Sequence, residues 1–146
     1  MRPDRAVRII VGFSPGGATD QLARLLAKDL QEIWNQPVVV ENRPGASGNI
    51  AHGLVARSPG DGHTLLFTSA PLTINPSLYR GLDYDALRDF RPMMLVAIVP
   101  SLLLVPAASP LRSFGDLLTH AGSHPGRLSY ASAGNGTPQH PAVELL

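Results

Sequence analysis

The chain has 146 residues, of which 44% are hydrophobic, enough for an ordinary domain with a buried core. Its formal net charge of +1 excludes a strongly basic surface for nucleic acid, and its lack of cysteine excludes disulfides, thiolate metal ligands and a cysteine nucleophile. No run of about 18 apolar residues is present, so no membrane insertion is predicted. No apolar stretch follows the basic N-terminus, so we predict no signal peptide in the chain.

The first half of the sequence alternates short apolar runs with segments of helical periodicity. This order of elements is typical of an α/β fold in which helices cover both faces of a parallel sheet. The predicted strands are 7–11, 37–41 and 64–68, and the predicted helices are 18–34, 49–57 and 71–79.

From Ser69 onward the pattern of predicted elements is looser. The predicted strands are 93–99, 102–105 and 128–131, and a helix is predicted over 113–124. A last helix is expected to begin with Thr137 as its N-cap and Pro138 at its first position. The sequence ends soon after this helix begins, with an apolar face still uncovered, so we expect a truncated form of a longer protein.

The turn after the first predicted strand matches the pattern G-x-S-x-G, which would make Ser14 the nucleophile of a serine hydrolase. The residue after such a serine must donate its backbone N–H to the oxyanion, and Pro15 has no N–H. A serine hydrolase is therefore a disfavoured alternative.

Two loops of small residues, 12–17 and 132–137, each join a predicted strand to the start of a predicted helix. Backbone N–H groups at a helix N-terminus favour an anion, but the same loops also suit tight turns for close packing. The sequence leaves both interpretations open. Neither loop contains Lys or Arg, so a bound carboxylate would be held by N–H groups, hydroxyls and water.

The five histidines do not predict a metal site. His120 and His124 are four residues apart, but Gly122 and Pro125 beside them disfavour a chelating helix. We therefore expect no bound metal ion.

Five blocks of the sequence resemble one known family and follow one another in the same order as in that family. The blocks are 7–20 (VRIIVGFSPGGATD), 36–48 (QPVVVENRPGASG), 61–68 (DGHTLLFT), 74–79 (INPSLY) and 128–137 (LSYASAGNGT). The family is the substrate-binding receptors of tripartite tricarboxylate transporters, also called Bug or TctC-like proteins, and the resemblance covers the chain from Val7 onward.

The resemblance implies a periplasmic solute receptor of the type II periplasmic-binding-protein fold, with no cofactor and without catalysis. Two α/β lobes would close on a small carboxylate-bearing metabolite and deliver it to a membrane permease. Residues 1–98 would form the first lobe without its C-terminal return, and residues 99–146 would begin the second. Family members are about twice as long, so a remnant with no independent binding is the alternative.

The resemblance also implies which residues line the cleft between the lobes. One side would be formed by Phe13, Ser14, Gly16, Gly17, Ala18, Thr19 and Asp20, together with Ser69, Ala70 and Pro71. The opposite side would be formed by Ser132, Ala133, Gly134, Asn135, Gly136 and Thr137, together with His140.

Overall fold

The computed structural model describes residues 3–132, 134–135 and 137–145. The chain forms two compact units, Met1–Met93 and Met94–Leu146. The lobe boundary after residue 98 stays a prediction.

The first unit contains a three-stranded sheet and three α-helices in its described residues, and their order along the chain follows the predicted one. The bounds differ from the prediction by one residue at most. The elements are β1 (Val7–Val11), α1 (Ala18–Trp34), β2 (Val38–Asn42), α2 (Asn49–Ala56), β3 (Thr64–Phe67) and α3 (Pro71–Leu78), with a short 3-10 turn, Ala46–Gly48, before α2.

The sheet is parallel and has the strand order β2-β1-β3. Val11, the last residue of β1, is level with Asn42 in β2 and with Phe67 in β3. The carboxyl ends of the strands therefore meet at one edge, and all three following loops begin there. The parallel α/β fold that the sequence predicted for this half is confirmed.

The hydrophobic core lies between α1 and one face of the sheet. Two alanines of α1, Ala23 and Ala27, pack on Val7, Ile9 and Val11 of the central strand. Each fully buried Val or Ile side chain stabilises the fold by about 1.5–3 kcal/mol. Small residues on the buried stripe of α1 let the helix approach the sheet closely.

The other face of the sheet is covered as well. Ile10 alternates with Ile9 along β1, so its side chain lies on the opposite face, where it is fully buried. Helix α2 contacts β1 and β3 and contributes the buried Ala51. Helices on both sides explain why β1 is almost continuously apolar.

The second unit contains two helices, α4 (Phe114–Ser123) and α5 (Gln139–Glu144), in its described residues. A capping box begins α4: the Ser113 hydroxyl accepts a bond from the Asp116 N–H, and the Asp116 carboxylate accepts one from the Ser113 N–H. Among the described residues, no helix is both long and apolar enough to cross a bilayer.

The predicted strands 93–99, 102–105 and 128–131 are wrong, because none forms in the described part of the chain. These segments pair with no neighbouring strand, and large apolar side chains such as Leu95 and Leu104 stay about 80% exposed (76% and 80%). A strand without a partner gains no ladder hydrogen bonds and is not stable by itself.

The start of the last helix also differs from the prediction. Pro138, not Thr137, is the N-cap of α5, and the first helical residue is Gln139. The Thr137 hydroxyl donates instead to the Gly134 carbonyl, at 2.6 Å, and so closes the preceding turn.

Candidate functional site

The candidate site of the first unit lies at the carboxyl edge of the sheet. The loops 12–17, 43–48 and 68–70 leave β1, β2 and β3 at this edge. The chain goes from β1 to β2 on one side and then to β3 on the other, so the order of strands reverses at β1. In open α/β sheets, ligands bind in the crevice outside the carboxyl ends of the strands at such a reversal.

The N-terminus of α1 lies at this edge and carries backbone N–H groups that have no partner within the helix. Its N-cap, Gly17, has no side chain, and the first helical bond is formed by the Gln21 N–H with the Gly17 carbonyl (3.0 Å). The N–H groups of Ala18, Thr19 and Asp20 therefore have no acceptor within the helix. These groups, with the positive end of the helix dipole, favour an anion at this position.

Asp20 fixes the shape of the loop. Its side chain is buried, and its carboxylate accepts hydrogen bonds from the Gly16 N–H (2.9 Å), from Arg24 Nε (3.0 Å) and from the Asn42 amide (2.9 Å). Gly16 has φ +89°, a left-handed conformation that glycine adopts without strain. Asp20 was predicted to line the ligand site. Both oxygens of its carboxylate accept hydrogen bonds from within the protein.

The bonds to Asp20 also set its ionisation. The Arg24 guanidinium, the Gly16 N–H and the Asn42 amide, in that order of effect, lower the pKa of the Asp20 carboxyl well below its usual value. Asp20 is therefore ionised at neutral pH, and Arg24 compensates its charge. Residues 12–17 themselves include no Lys or Arg.

Phe13 anchors the loop to the fold. Its ring packs on the core, and its carbonyl accepts a hydrogen bond from the Asn42 amide at 3.0 Å. Ser14 is exposed, and its hydroxyl forms no hydrogen bond with a described residue. Ser14 therefore has no base beside it in the described part of the chain, whereas a hydrolase nucleophile requires one.

The loop after β3 contributes less than the loop after β1. Pro71 has no N–H, and the N–H groups of Leu72 and Thr73 donate to the carbonyls of Ser69 and Ala70 (3.2 and 2.9 Å). The first turn of α3 therefore satisfies its own donors. The Ser69 side chain in this loop is exposed.

A buried polar cluster below these loops was missed in the sequence. Asn75 on α3 donates to the Asn49 side-chain oxygen at 2.7 Å, and the Tyr84 hydroxyl donates to the same oxygen at 2.7 Å. His52 contacts the Tyr84 hydroxyl through Nδ1 (3.1 Å) and the Thr68 hydroxyl through Nε2 (2.9 Å). Polar residues at core positions of α2 and α3 were the available signal.

Burial sets the charge of this cluster. Asn49, His52 and Asn75 are all buried, and desolvation lowers the pKa of His52 to about 4. His52 is therefore neutral at neutral pH, and one of its ring nitrogens accepts a hydrogen bond while the other donates.

The second predicted loop belongs to the second unit. Ser132 is exposed and accepts a 3.3 Å bond from the Gly134 N–H, Thr137 is buried, and the His140 N–H donates to the Thr137 carbonyl (3.1 Å). Asn135 is exposed. Ala133 and Gly136 lie outside the described residues. The role of this loop in ligand binding stays a prediction.

The described residues contain no group of three His, Asp or Glu side chains that could hold a metal ion. The first unit has a parallel α/β fold, and ligands of such folds commonly bind at the carboxyl edge of the sheet.

Sequence comparison identifies the family. The model of the "Tripartite tricarboxylate transporter family receptor" (TctC) matches residues 22–146. The chain therefore belongs to the TctC family, whose members are receptors and not enzymes, and the resemblance noted in the sequence is confirmed. The hydrolase alternative at Ser14 is set aside.

Two curated relatives match nearly the whole chain. The UPF0065 protein in the tcbD-tcbE intergenic region of Pseudomonas sp. (strain P51) is 45% identical over 144 residues, which are 99% of this chain and 43% of that protein. Protein BugT of Bordetella pertussis is 40% identical over 146 residues, covering 99% and 45% of the two chains.

Solved structures of similar proteins include two with dicarboxylates. R. palustris Rpa4515 with adipate has a TM-score of 0.88 and 40% identity, covering 98% of this chain and 48% of that one. MatC from Rhodopseudomonas palustris with bound malate has a TM-score of 0.69 and 32% identity, covering 84% and 42%. The periplasmic binding protein BugD has a TM-score of 0.75 at 28% identity, covering 98% and 48%. The chain spans less than half the length of these relatives.

Proposed function

We propose that this chain acts as a periplasmic receptor for a small carboxylate-bearing metabolite and that it serves the membrane permease of a tripartite tricarboxylate-type transporter. The observation that carries the proposal is the N-terminus of α1, where Gly17 leaves the first N–H groups without a side-chain cap. The family of the chain supports the receptor role and the transporter.

The proposed contacts follow from the donors of the first unit. One ligand carboxylate would accept hydrogen bonds from the N–H groups of Ala18 and Thr19 and from the hydroxyls of Ser14 and Ser69. A hydrogen bond to a charged group contributes about 1.5–3 kcal/mol, so a few such bonds suffice for binding without a salt bridge. The structures of relatives with adipate and with malate support a dicarboxylate as the ligand class.

Isothermal titration calorimetry of the 146-residue chain tests this proposal. Adipate and malate are the probes, and adipamide is the matched control, because it keeps the length of adipate and lacks the charges. We expect at least one acid to bind and adipamide not to bind. Absence of binding by both acids, or equal binding of adipamide and adipate, would contradict the proposal.

A further inference from the structure

The turn before α2 holds two residues in an unusual conformation. Ala46 and Ser47 have φ values of +46° and +55°, in the left-handed region that side chains with a Cβ rarely adopt. Such backbone strain persists only where the surrounding structure holds it in place. The turn is next to the candidate site because it follows β2 at the carboxyl edge of the sheet.

Asn75, on α3, forms hydrogen bonds with this turn. Its side-chain N–H₂ group donates to the Ser47 carbonyl (3.1 Å) and to the Asn49 side-chain oxygen (2.7 Å), so it bonds on both sides of Gly48. The Asn75 side chain is fully buried, and its bond to Asn49 is buried with it, whereas its bond to the half-buried Ser47 is part-buried. An apolar side chain at residue 75 would remove the hydrogen bond that Asn75 donates to the Ser47 carbonyl.

Gly48 in turn touches the base of the α1 loop. A Cβ built on Gly12 would lie 2.8 Å from the Gly48 Cα, so the two backbones are in direct contact. Gly12 immediately precedes the loop that carries Phe13 and Ser14. A shift of the turn at Gly48 therefore either pushes Gly12 or opens a gap beside it.

We propose that Asn75 is a positioning residue of the candidate site: by holding Ser47 in its left-handed conformation, it keeps Gly48 against Gly12 and so fixes the start of the carboxylate-binding loop. The link to ligand binding rests on the function proposed above. The link from Asn75 to Gly12 stands on the geometry alone.

The test uses the 146-residue chain with Asn75→Leu, which keeps most of the side-chain volume and removes both donated hydrogen bonds. We expect amide hydrogen exchange at Gly48 to accelerate roughly tenfold, the Gly12 amide resonance to shift, and the Kd for adipate to rise roughly tenfold. Tyr79→Phe is a local control, because Tyr79 contacts the Ser47 hydroxyl and not its carbonyl.

A double-mutant cycle separates positioning from a general loss of packing. Glycine adopts the left-handed conformation freely, so in a Ser47→Gly background Asn75→Leu is expected to change Gly48 exchange by less than about threefold. Asn35→Gly is the matched control background, since Asn35 has the same left-handed conformation (φ +53°) at the end of α1 and no contact with Asn75 among the described residues. There the full tenfold effect is expected.

Each outcome decides the proposal. Equal effects of Asn75→Leu in the Ser47→Gly and Asn35→Gly backgrounds would overturn it, as would an unchanged Gly12 resonance. If Asn75→Leu alone does not fold, Ser47→Gly and not Asn35→Gly must restore folding. If the wild-type chain binds neither acid, the proposed function fails, and the exchange cycle still decides the role of Asn75.

Discussion

The Asp20 carboxylate on α1 accepts a 2.9 Å hydrogen bond from the Asn42 amide at the end of β2, 22 residues further along the chain. The same amide donates to the Phe13 carbonyl, and the other carboxylate oxygen accepts the Gly16 N–H. The loop between β1 and α1 is therefore tied at both of its ends to a single pair of side chains. These bonds hold the loop in place through side chains of α1 and β2.

Asp20→Ala should loosen this loop, because it leaves the Gly16 N–H and the Asn42 amide without their acceptor. We expect the thermal midpoint of the first unit to fall by roughly 5 °C or more. Unfolding can be monitored by the fluorescence of Trp34, the single tryptophan, which packs on the core. Asp29→Ala, an exposed carboxylate on the same helix, is the control. Equal midpoints for both variants would contradict the assigned role.

Stability should decline in mildly acidic solution because His52 is buried in its neutral form. Its pKa is lowered from 6.5 to about 4 by desolvation, so between these pH values the unfolded chain binds a proton that the folded chain does not. The free energy of unfolding should therefore fall as pH decreases from 6.5 to 4, by up to about 3 kcal/mol. Urea unfolding at several pH values measures this slope.

His52→Gln should flatten the slope between pH 6.5 and 4, and His124→Gln, which changes an exposed histidine at the end of α4, should keep it. An unchanged slope in His52→Gln would refute the neutral buried state.

Glu41 affects stability at lower pH. The hydrogen bonds from Arg8 lower the pKa of Glu41 from 4.5 to about 2, so the stabilisation from this pair is lost as pH falls through that range.

The contact between Gly12 and Gly48 predicts a steric effect. Gly12→Ala should destabilise the first unit by about 1–3 kcal/mol, because its Cβ would lie 2.8 Å from the Gly48 Cα and neither backbone has room to move. Gly60→Ala is the control, since Gly60 has no heavy atom within 4 Å of a built Cβ and no positive φ. Urea unfolding curves of the two variants should differ clearly, and matching curves would refute the close approach.

Gly17 offers a variant in which stability and binding should change in opposite directions. The N-cap has φ −74° and ψ 167°, which suits a capping side chain, and a Cβ there meets nothing closer than the Ser14 carbonyl at 3.8 Å. Gly17→Asp should stabilise α1 by a few tenths of a kcal/mol, because its carboxylate caps the free N–H groups. The same carboxylate would compete with the ligand and repel it, so adipate binding should be lost.

Gly17→Asn separates the two effects, because it caps the helix without adding charge. We expect it to weaken adipate binding less than Gly17→Asp does, with a similar gain in the free energy of unfolding. Calorimetry and urea unfolding measure the two quantities. If Gly17→Asp still binds adipate as the wild type does, the ligand does not use the α1 N-terminus.

The first unit could be predicted from sequence because its signals are local. The apolar run of β1 and the helical spacing of α1 each specify one element, and short connections specify a parallel sheet. The strands predicted at 93–99 and 128–131 failed for the opposite reason. A strand forms only with a partner, and sequence periodicity cannot supply one.

The sequence predicted which loops form the candidate site, but it could not predict the hydrogen bonds between their side chains. Asp20 was predicted to line the ligand site, and that role stays a prediction. What the sequence could not show is the bond from Asn42 to the Asp20 carboxylate, because the position of Asn42 depends on the register of β2 with β1. Asn75 and His52 were missed because burial of a polar residue is decided by tertiary packing. The roles of Ser14 and Gly17 in ligand binding stay predictions.

The most direct test of the carboxylate site is a ¹⁵N nuclear magnetic resonance titration of the 146-residue chain with adipate. We expect the largest, saturable shifts at the amides of Gly17, Ala18 and Thr19, with little change at the capped start of α4 near Gly115. Shifts that are absent, or that are as large around Gly115 as at the α1 N-terminus, would show that the carboxylate does not bind at the α1 N-terminus.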